Sequence, residues 1–291
     1  MTKMGMEFPA LYTSADKASA RAQTTFWWMI RLEYFLLFLV ASLGVSQQVL
    51  QFGAKVWMTV ILGVLACLFV FKVYKKFDQD WYRCRALAES IKTSTWRFAM
   101  RAHPFQDAGN IEEPRRNFRN LLREILKANQ NLAQNLQDVD SAQVTQSMLQ
   151  IRDLSLNDRL AFYVSNRIDD QRKWYSRKSN ENRKTLHKWI GLTVLLYLGS
   201  LLALHAEAIW APATVIFDPI IVIVTSAIGW IQMKRFGELT ASYNLTAHEI
   251  GIIRSNSEDI KTEEDFSEFV NEAELAFSRE HTQWVARRDA T

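Results

Sequence analysis

Cysteine is nearly absent from the chain, with two in 291 residues. Cys67 falls inside an apolar run and Cys84 on a polar helical stretch. No disulfide framework or cysteine metal site is therefore expected, and a reducing cytosolic face is the default for the polar regions. Proline and glycine are also scarce, at five and ten, and no stretch alternates apolar and polar residues with the period of a strand. That excludes a sheet protein and argues for an all-α fold. Catalytic signatures are missing too: there is no glycine-rich phosphate loop, no HExxH and no CxxC. The five histidines are scattered, and His248-Glu249 and Glu280-His281 are adjacent pairs. Neighbours on a helix point about 100° apart, so neither pair converges on one site. Catalytic residues, metal ligands and cofactors are all expected to be none. The net charge of +4 is small, and its basic excess gathers beside apolar runs. This suits anionic lipid better than nucleic acid, for which no motif is present.

What the chain does have is long apolar segments. Trp189 to Ala206 carries only His205 as a group that can charge near neutral pH, and Pro219 to Gln232 carries none. A bilayer core takes about 20 apolar residues. The first segment comes close to that length, and the second reaches it when Thr214–Phe217 is counted. The two form an expected antiparallel hairpin with spans at 189–206 and 214–233. Lys184, His187 and Lys188 precede it and Lys234 and Arg235 follow, which puts both ends inside. Trp189 and Trp230 fall near the inner edge and Trp210 near the outer edge, as in an aromatic belt. An earlier hairpin repeats the plan, with spans at about 34–50 and 56–74, Trp57 at the outer end, and Lys72, Lys75 and Lys76 inside. Arg31 and Glu33 sit at its inner edge, where an arginine stem reaches headgroups. Before Phe26 there is no apolar core of signal-peptide length, so the first apolar segment is expected to direct targeting.

The polar segments read as amphipathic helices that pack as a cytosolic bundle. Trp81, Leu87, Ile91 and Trp96 share one helix face, and His103-Pro104 follows it. Glu112 and Glu113 fit a first turn with Pro114 as its first helical residue, and an apolar stripe continues through Leu132 and Leu136. Ser141 is expected to cap a short helix, and Ser155/Asp158 and Thr262/Asp265 to form capping boxes. From Leu156 no breaker appears before the membrane, with Leu160, Val164 and Ile168 as the apolar stripe. Phe266, Phe269, Val270, Ala273, Phe277 and Trp284 line the last helix. The resulting domains are 1–107, a helical connector at 108–153, and 154–291.

Two groups of side chains are candidate sites. Polar residues in or beside the spans are Ser42, Gln47, Gln48, Thr59, Thr193, Ser200, Asp218, Thr225, Ser226 and Gln232. They either line a wet path in an oligomer or pack helices together, as do the small pairs Gly63/Cys67, Gly199/Ala203 and Thr225/Gly229. Asp218-Pro219 reads as a helix start, with Asp as N-cap and Pro at the first position. The basic group comprises Arg115, Arg116, Arg119 and Arg123 on one helix, and Arg172, Lys173, Arg177 and Lys178 on another. The first four fit a phosphate-bearing ligand or a solvated face. The rest, with Arg167, fit membrane-proximal electrostatics.

The run Ile168-Asp169-Asp170-Gln171-Arg172-Lys173-Trp174-Tyr175-Ser176-Arg177-Lys178, a two-arm hairpin, and then Glu280-His281-Thr282-Gln283-Trp284 resembles the SLATT group of two-transmembrane bacterial proteins. Trp81-Tyr82-Arg83, Ala88-Glu89-Ser90-Ile91-Lys92, Trp96-Arg97-Phe98 and His103-Pro104-Phe105 resemble a second variety of the same group. The resemblance implies a bacterial inner-membrane effector of a conflict or antiphage system, encoded near a nucleotide synthetase or sensor protein and perforating the membrane when triggered. No sensor or synthetase domain is visible in the chain, so the trigger is expected from a separate protein or from the helical bundle. The expected whole is a four-span protein with both termini cytosolic, in contact with lipid and homo-oligomeric, because a lone pair of hairpins leaves little room for a lumen. Two rival readings are a membrane scaffold that recruits a cytosolic partner and a constitutive small channel or transporter.

Overall fold

The computed structural model describes residues 5–46, 53–107, 110–136, 142–206 and 214–289. These residues form ten α-helices and no strand: α1 Ala10–Ser46, α2 Gly53–Lys75, α3 Phe77–Ala99, α4 Glu112–Ala128, α5 Gln146–Arg152, α6 Leu156–Tyr163, α7 Asp169–Ala206, α8 Thr214–Lys234, α9 Phe236–Ser255 and α10 Glu263–Asp289. Four stretches are long and apolar enough to cross a membrane, and they include parts of α1, α2, α7 and α8.

The chain divides into two compact units. One comprises residues 24–77 and 177–244, and the other residues 1–23, 78–176 and 245–291. The first, the apolar unit, holds the apolar segments. Its α2 has large apolar side chains exposed all round, including Trp57, Leu62, Phe69 and Tyr74. A helix apolar on every side needs an apolar solvent. Tyr34 lies against Gly229, where an added Cβ would come within 2.9 Å of its hydroxyl. An added Cβ at Gly63 or Gly199 would meet nothing within 4 Å, so among the glycines of the three small pairs only Gly229 receives a neighbouring side chain.

The second, the polar unit, has its core where α3 and α4 meet the start of α1, with Ala15, Ala18, Leu87, Ile91, Phe98 and Phe118 buried together. Phe98, Phe105 and Phe118 form a ring cluster with centroids 4.8–5.9 Å apart. Two helix starts follow the sequence closely. The Ser155 hydroxyl accepts from Asp158 N–H (3.3 Å) and donates to its carboxylate. Thr262 Oγ1 accepts from Asp265 N–H while the Asp265 carboxylate accepts from Thr262 N–H.

Several local expectations are corrected. Thr145, not Ser141, caps α5, accepting from Met148 N–H; Ser141 lies outside the described residues. The helix starting at Glu112 makes Pro114 its third residue, where its missing N–H is still one of the orphan donors. It ends at Ala128 and gives way to a 3-10 turn, Gln130–Asn135, because Asn129 turns its side chain back to the Ile125 carbonyl (2.8 Å). The stretch after Leu156 is interrupted by a π turn at Val164–Ile168, a feature with no breaker residue to announce it. Helix α8 begins at Thr214, so Asp218 lies inside it rather than at its cap. Including Thr214–Phe217 satisfies the backbone of an apolar run, and Pro219 forfeits only the bond to the Val215 carbonyl.

Both exits from the second apolar arms share one joint. Lys76 (φ 47°) follows α2 and Arg235 (φ 50°) follows α8. Each donates its N–H to the carbonyl four residues back, Lys72 and Ile231, at 3.1 Å. Each is followed by a phenylalanine that starts the next helix, Phe77 and Phe236.

Candidate functional site

In the apolar unit, the polar side chains of the spans fold back on their own helices. Ser42, Thr59, Thr193, Ser200 and Thr225 donate to the carbonyls of Phe38, Lys55, Trp189, Leu196 and Ile221, each four residues earlier, at 2.8–3.0 Å. A hydroxyl so satisfied can tolerate lipid or protein surroundings. Thr193 and Ser200 are buried, whereas Thr59, Thr225 and Gln232 are exposed and Ser42 and Ser226 are intermediate. Gln47 and Gln48 lie outside the described residues.

The charged ends of the apolar segments carry a denser arrangement. Lys72 and Glu33 pair at 2.6 Å. Trp230 is contacted edge-on by Trp27 (5.4 Å between centroids) and at a tilt by Trp189 (6.3 Å). Two cations share its ring, with the Arg31 guanidinium 5.8 Å and the Lys234 ammonium 5.0 Å from the centroid. Lys234 also lies 3.4 Å above Trp27. Aromatic faces stabilise cations at such distances.

Of the basic candidates, Arg116, Arg119, Arg123, Arg172, Lys173 and Arg177 are exposed, and Arg115 and Lys178 half-buried. Arg115 pairs with Glu112 (3.0 Å), Arg123 donates to Asn120 (3.0 Å), and Lys178 pairs with Glu181 (2.7 Å), which also lies 3.9 Å from Arg177. These are surface interactions of small energetic weight.

Three other arginines matter more, and sequence reasoning missed their role. Arg152, Arg159 and Arg167 are at most 1% exposed. The Arg152 guanidinium donates to the Phe98 and Phe105 carbonyls and pairs with Asp107. Arg159 donates to the carbonyls of Leu154 (3.1 Å) and Met100 (2.9 Å) and pairs with Glu263. Phe98 and Met100 lie at the C-terminal end of α3, where orphan carbonyls attract cations. Arg167 forms a two-pronged pair with Glu274, Nε to Oε1 at 2.8 Å and Nη2 to Oε2 at 2.6 Å, and Glu274 also accepts from the Tyr163 hydroxyl at 2.9 Å. Arg167 therefore belongs to the interior, not to the membrane-proximal group. Burial, with Glu274 beside it, pushes the Tyr163 phenol well above its ordinary pKa. The buried face of this stretch is thus Arg159, Tyr163, Arg167 and, of the expected stripe, Ile168, while Leu160 and Val164 are only half-buried. Spacings of seven and eight between the arginines, and Glu274 four residues after Val270 on the apolar stripe of α10, were the available signals.

Arg167 also walls a cavity of about 290 Å³ with Tyr12, Lys92, Trp96, Phe162 and Asp170. Its Nη1 and the Trp96 Nε1 are buried donors without a hydrogen-bond partner among the described residues. Burial lowers the Lys92 pKa and, with Asp16 and then Glu89 adding to it, pushes Tyr12 up to about 12. Among the described residues no cluster of His, Cys, Asp and Glu could hold a metal ion.

Four helices long and apolar enough to cross a membrane, and a separately compact polar helical unit, are the features of a multi-pass, helical membrane protein. Two family profiles match it in tandem: "SMODS and SLOG-associating 2TM effector domain 3" over residues 9–160 and "SMODS and SLOG-associating 2TM effector domain 1" over residues 163–284. The chain therefore belongs to the SLATT family, with two different SLATT domains in succession. No curated protein and no solved structure matches it.

Proposed function

We propose that this chain is a triggered membrane effector of a bacterial conflict system, acting on the inner membrane by ion leakage. The observation that carries this reading is that each matched effector domain contains one pair of the apolar helices, α1 with α2 and α7 with α8. The spans form two antiparallel hairpins with both termini in the cytosol. The Glu33–Lys72 pair between α1 and α2 and the Trp189–Trp230 contact between α7 and α8 support that pairing, since each joins the start of one arm to the end of the next. The basic residues Lys72, Lys75, Lys234 and Arg235 mark the inner side. Conduction requires several copies. The all-round apolar surface of α2 suits both lipid and neighbouring copies, and small polar residues satisfied by their own helix are compatible with either neighbour. The trigger acts on the polar unit, through a nucleotide signal or a sensor protein encoded nearby.

The test is reconstitution of the full chain in dye-loaded vesicles under an ion gradient, with and without candidate partners and a panel of nucleotides. Dye or ion release in one triggered state is expected. If the chain inserts and binds a cytosolic partner but releases nothing in any state, the pore reading fails and the protein is a membrane scaffold.

A further inference from the structure

The apolar unit contains a groove of about 450 Å³ whose wall is almost wholly apolar. It is built from three helices. Arg31, Phe35 and Phe38 of α1 mark its length on one side, Trp189 and Leu192 of α7 and Ile223 and Trp230 of α8 on the others. The numbering gives the groove a polarity. Arg31, Trp189 and Trp230 share the end where α1 and α7 start their apolar segments and α8 finishes its own. Phe38, Leu192 and Ile223 lie further along those segments. The charged and indole-bearing end therefore corresponds to headgroup depth, and the other end to hydrocarbon.

Arg31 lines the headgroup end, and Lys234, which is not part of the lining, flanks it on the same indole; both lie within 6 Å of the Trp230 ring centroid. Neither makes an ion pair with a carboxylate among the described residues, and nearby Glu33 is engaged by Lys72. Two positive groups held together against aromatic rings attract an anion, and a guanidinium donates to phosphate in a forked geometry. An occupant must also fill a long apolar slot that opens at membrane depth. We infer that the groove is a binding site for one anionic phospholipid, with its phosphate between Arg31 and Lys234 and an acyl chain along Phe35 and Phe38. Basic pockets between membrane helices on the cytoplasmic side bind anionic headgroups in this way. The inference stands whether or not the protein conducts, because it rests only on the apolar unit.

The experiment is native mass spectrometry of the full chain in mild detergent, with phosphatidylglycerol and phosphatidylcholine of matched acyl chains at equal concentration. The wild type is expected to retain phosphatidylglycerol preferentially. Arg31→Gln and Lys234→Gln each weaken its retention about fivefold, the factor that corresponds to about 1 kcal/mol per cationic group. Lys75→Gln, which removes an exposed charge at the end of α2, leaves retention unchanged. Ser226→Leu narrows the slot without touching charge and lowers retention of both lipids. Inorganic phosphate in millimolar excess does not displace the lipid. Equal retention of the two lipids by the wild type overturns the assignment, as does an unchanged preference in both charge variants. Loss in Lys75→Gln equal to that in Arg31→Gln overturns it too, because the effect is then general surface charge. Displacement by inorganic phosphate reduces the site to a bare anion site. A stable dimer that Ser226→Leu dissociates, without lipid preference in the wild type, assigns the groove to a second copy.

Discussion

Replacing Glu274 by Gln tests the interior of the polar unit most directly. Arg167 and Glu274 are both at most 1% exposed, and the carboxylate takes two bonds from the guanidinium and one from Tyr163. The amide keeps the shape but leaves the Arg167 charge buried without its counter-charge. Breaking one partner of such a pair costs about 3–5 kcal/mol, because the remaining charge has lost its solvent as well as its mate. At about 2–4 °C per kcal/mol for a domain of this size, the unfolding transition falls by roughly 10 °C. Scanning calorimetry or circular dichroism of the full chain in detergent would register the shift. The double replacement Arg167→Met with Glu274→Leu removes both charges, and its stability returns to within about 2 kcal/mol of the wild type, since apolar residues of similar volume substitute well for buried pairs. The cycle therefore gives a large coupling between the two sites. A Glu274→Gln variant within 1 kcal/mol of the wild type, or a double variant that loses the sum of the two single losses, would refute the reasoning.

Lys76→Gly should stabilise the chain by roughly 0.5–1 kcal/mol. The left-handed backbone costs an L-residue about 1–2 kcal/mol, and glycine removes that cost at the expense of a looser unfolded chain. Lys75→Gly, one residue earlier and inside α2, should do the opposite by about 1 kcal/mol, so thermal unfolding of the pair reads the sign directly. Cys84 is buried, and burial, aided by Asp80, pushes its thiol up to about 11. The thiolate is therefore scarce at pH 8, and Cys84 should resist alkylation in the native chain and label only after denaturation, as mass spectrometry of iodoacetamide-treated protein would show.

Much of the architecture was legible in the sequence because the signals were redundant. The four apolar segments are marked by length, by flanking lysines and by tryptophans, and the Ser155/Asp158 and Thr262/Asp265 boxes by spacing alone. Apolar stripes carried the inference on α3 and α10, where Leu87, Ile91, Phe266, Val270 and Ala273 are buried, but only in part after Leu156. Of Leu160, Val164 and Ile168, the expected inward residues, only Ile168 is fully buried, and Arg159 and Arg167 go deeper than the other two. A guanidinium can be stored inside when carbonyls at the end of α3 and carboxylates on α10 meet it, and those partners lie far away in sequence. The groove was equally hidden: Arg31, Trp189 and Trp230 were each noticed as edge residues, but periodicity does not tell which edges meet. Asp218-Pro219 misled in another way, since local cap preferences gave way to the need of an apolar run to satisfy its own backbone.

The polar unit is made of three pieces of chain, residues 1–23, 78–176 and 245–291, with the apolar segments between them. This imposes an order on biosynthesis. When α3 leaves the ribosome, the carbonyls at its end have no guanidinium to meet until Arg152 and Arg159 have been translated. Arg159 in turn lacks Glu263, and Arg167 lacks Glu274, until both apolar helices of the second half have been made. The unit cannot close its interior before the last apolar segment has been delivered. Completion of the polar unit is thus timed by membrane insertion, and a nascent chain that stalls before α10 leaves two arginines, Arg159 and Arg167, without their carboxylates, a state that quality-control proteases can recognise.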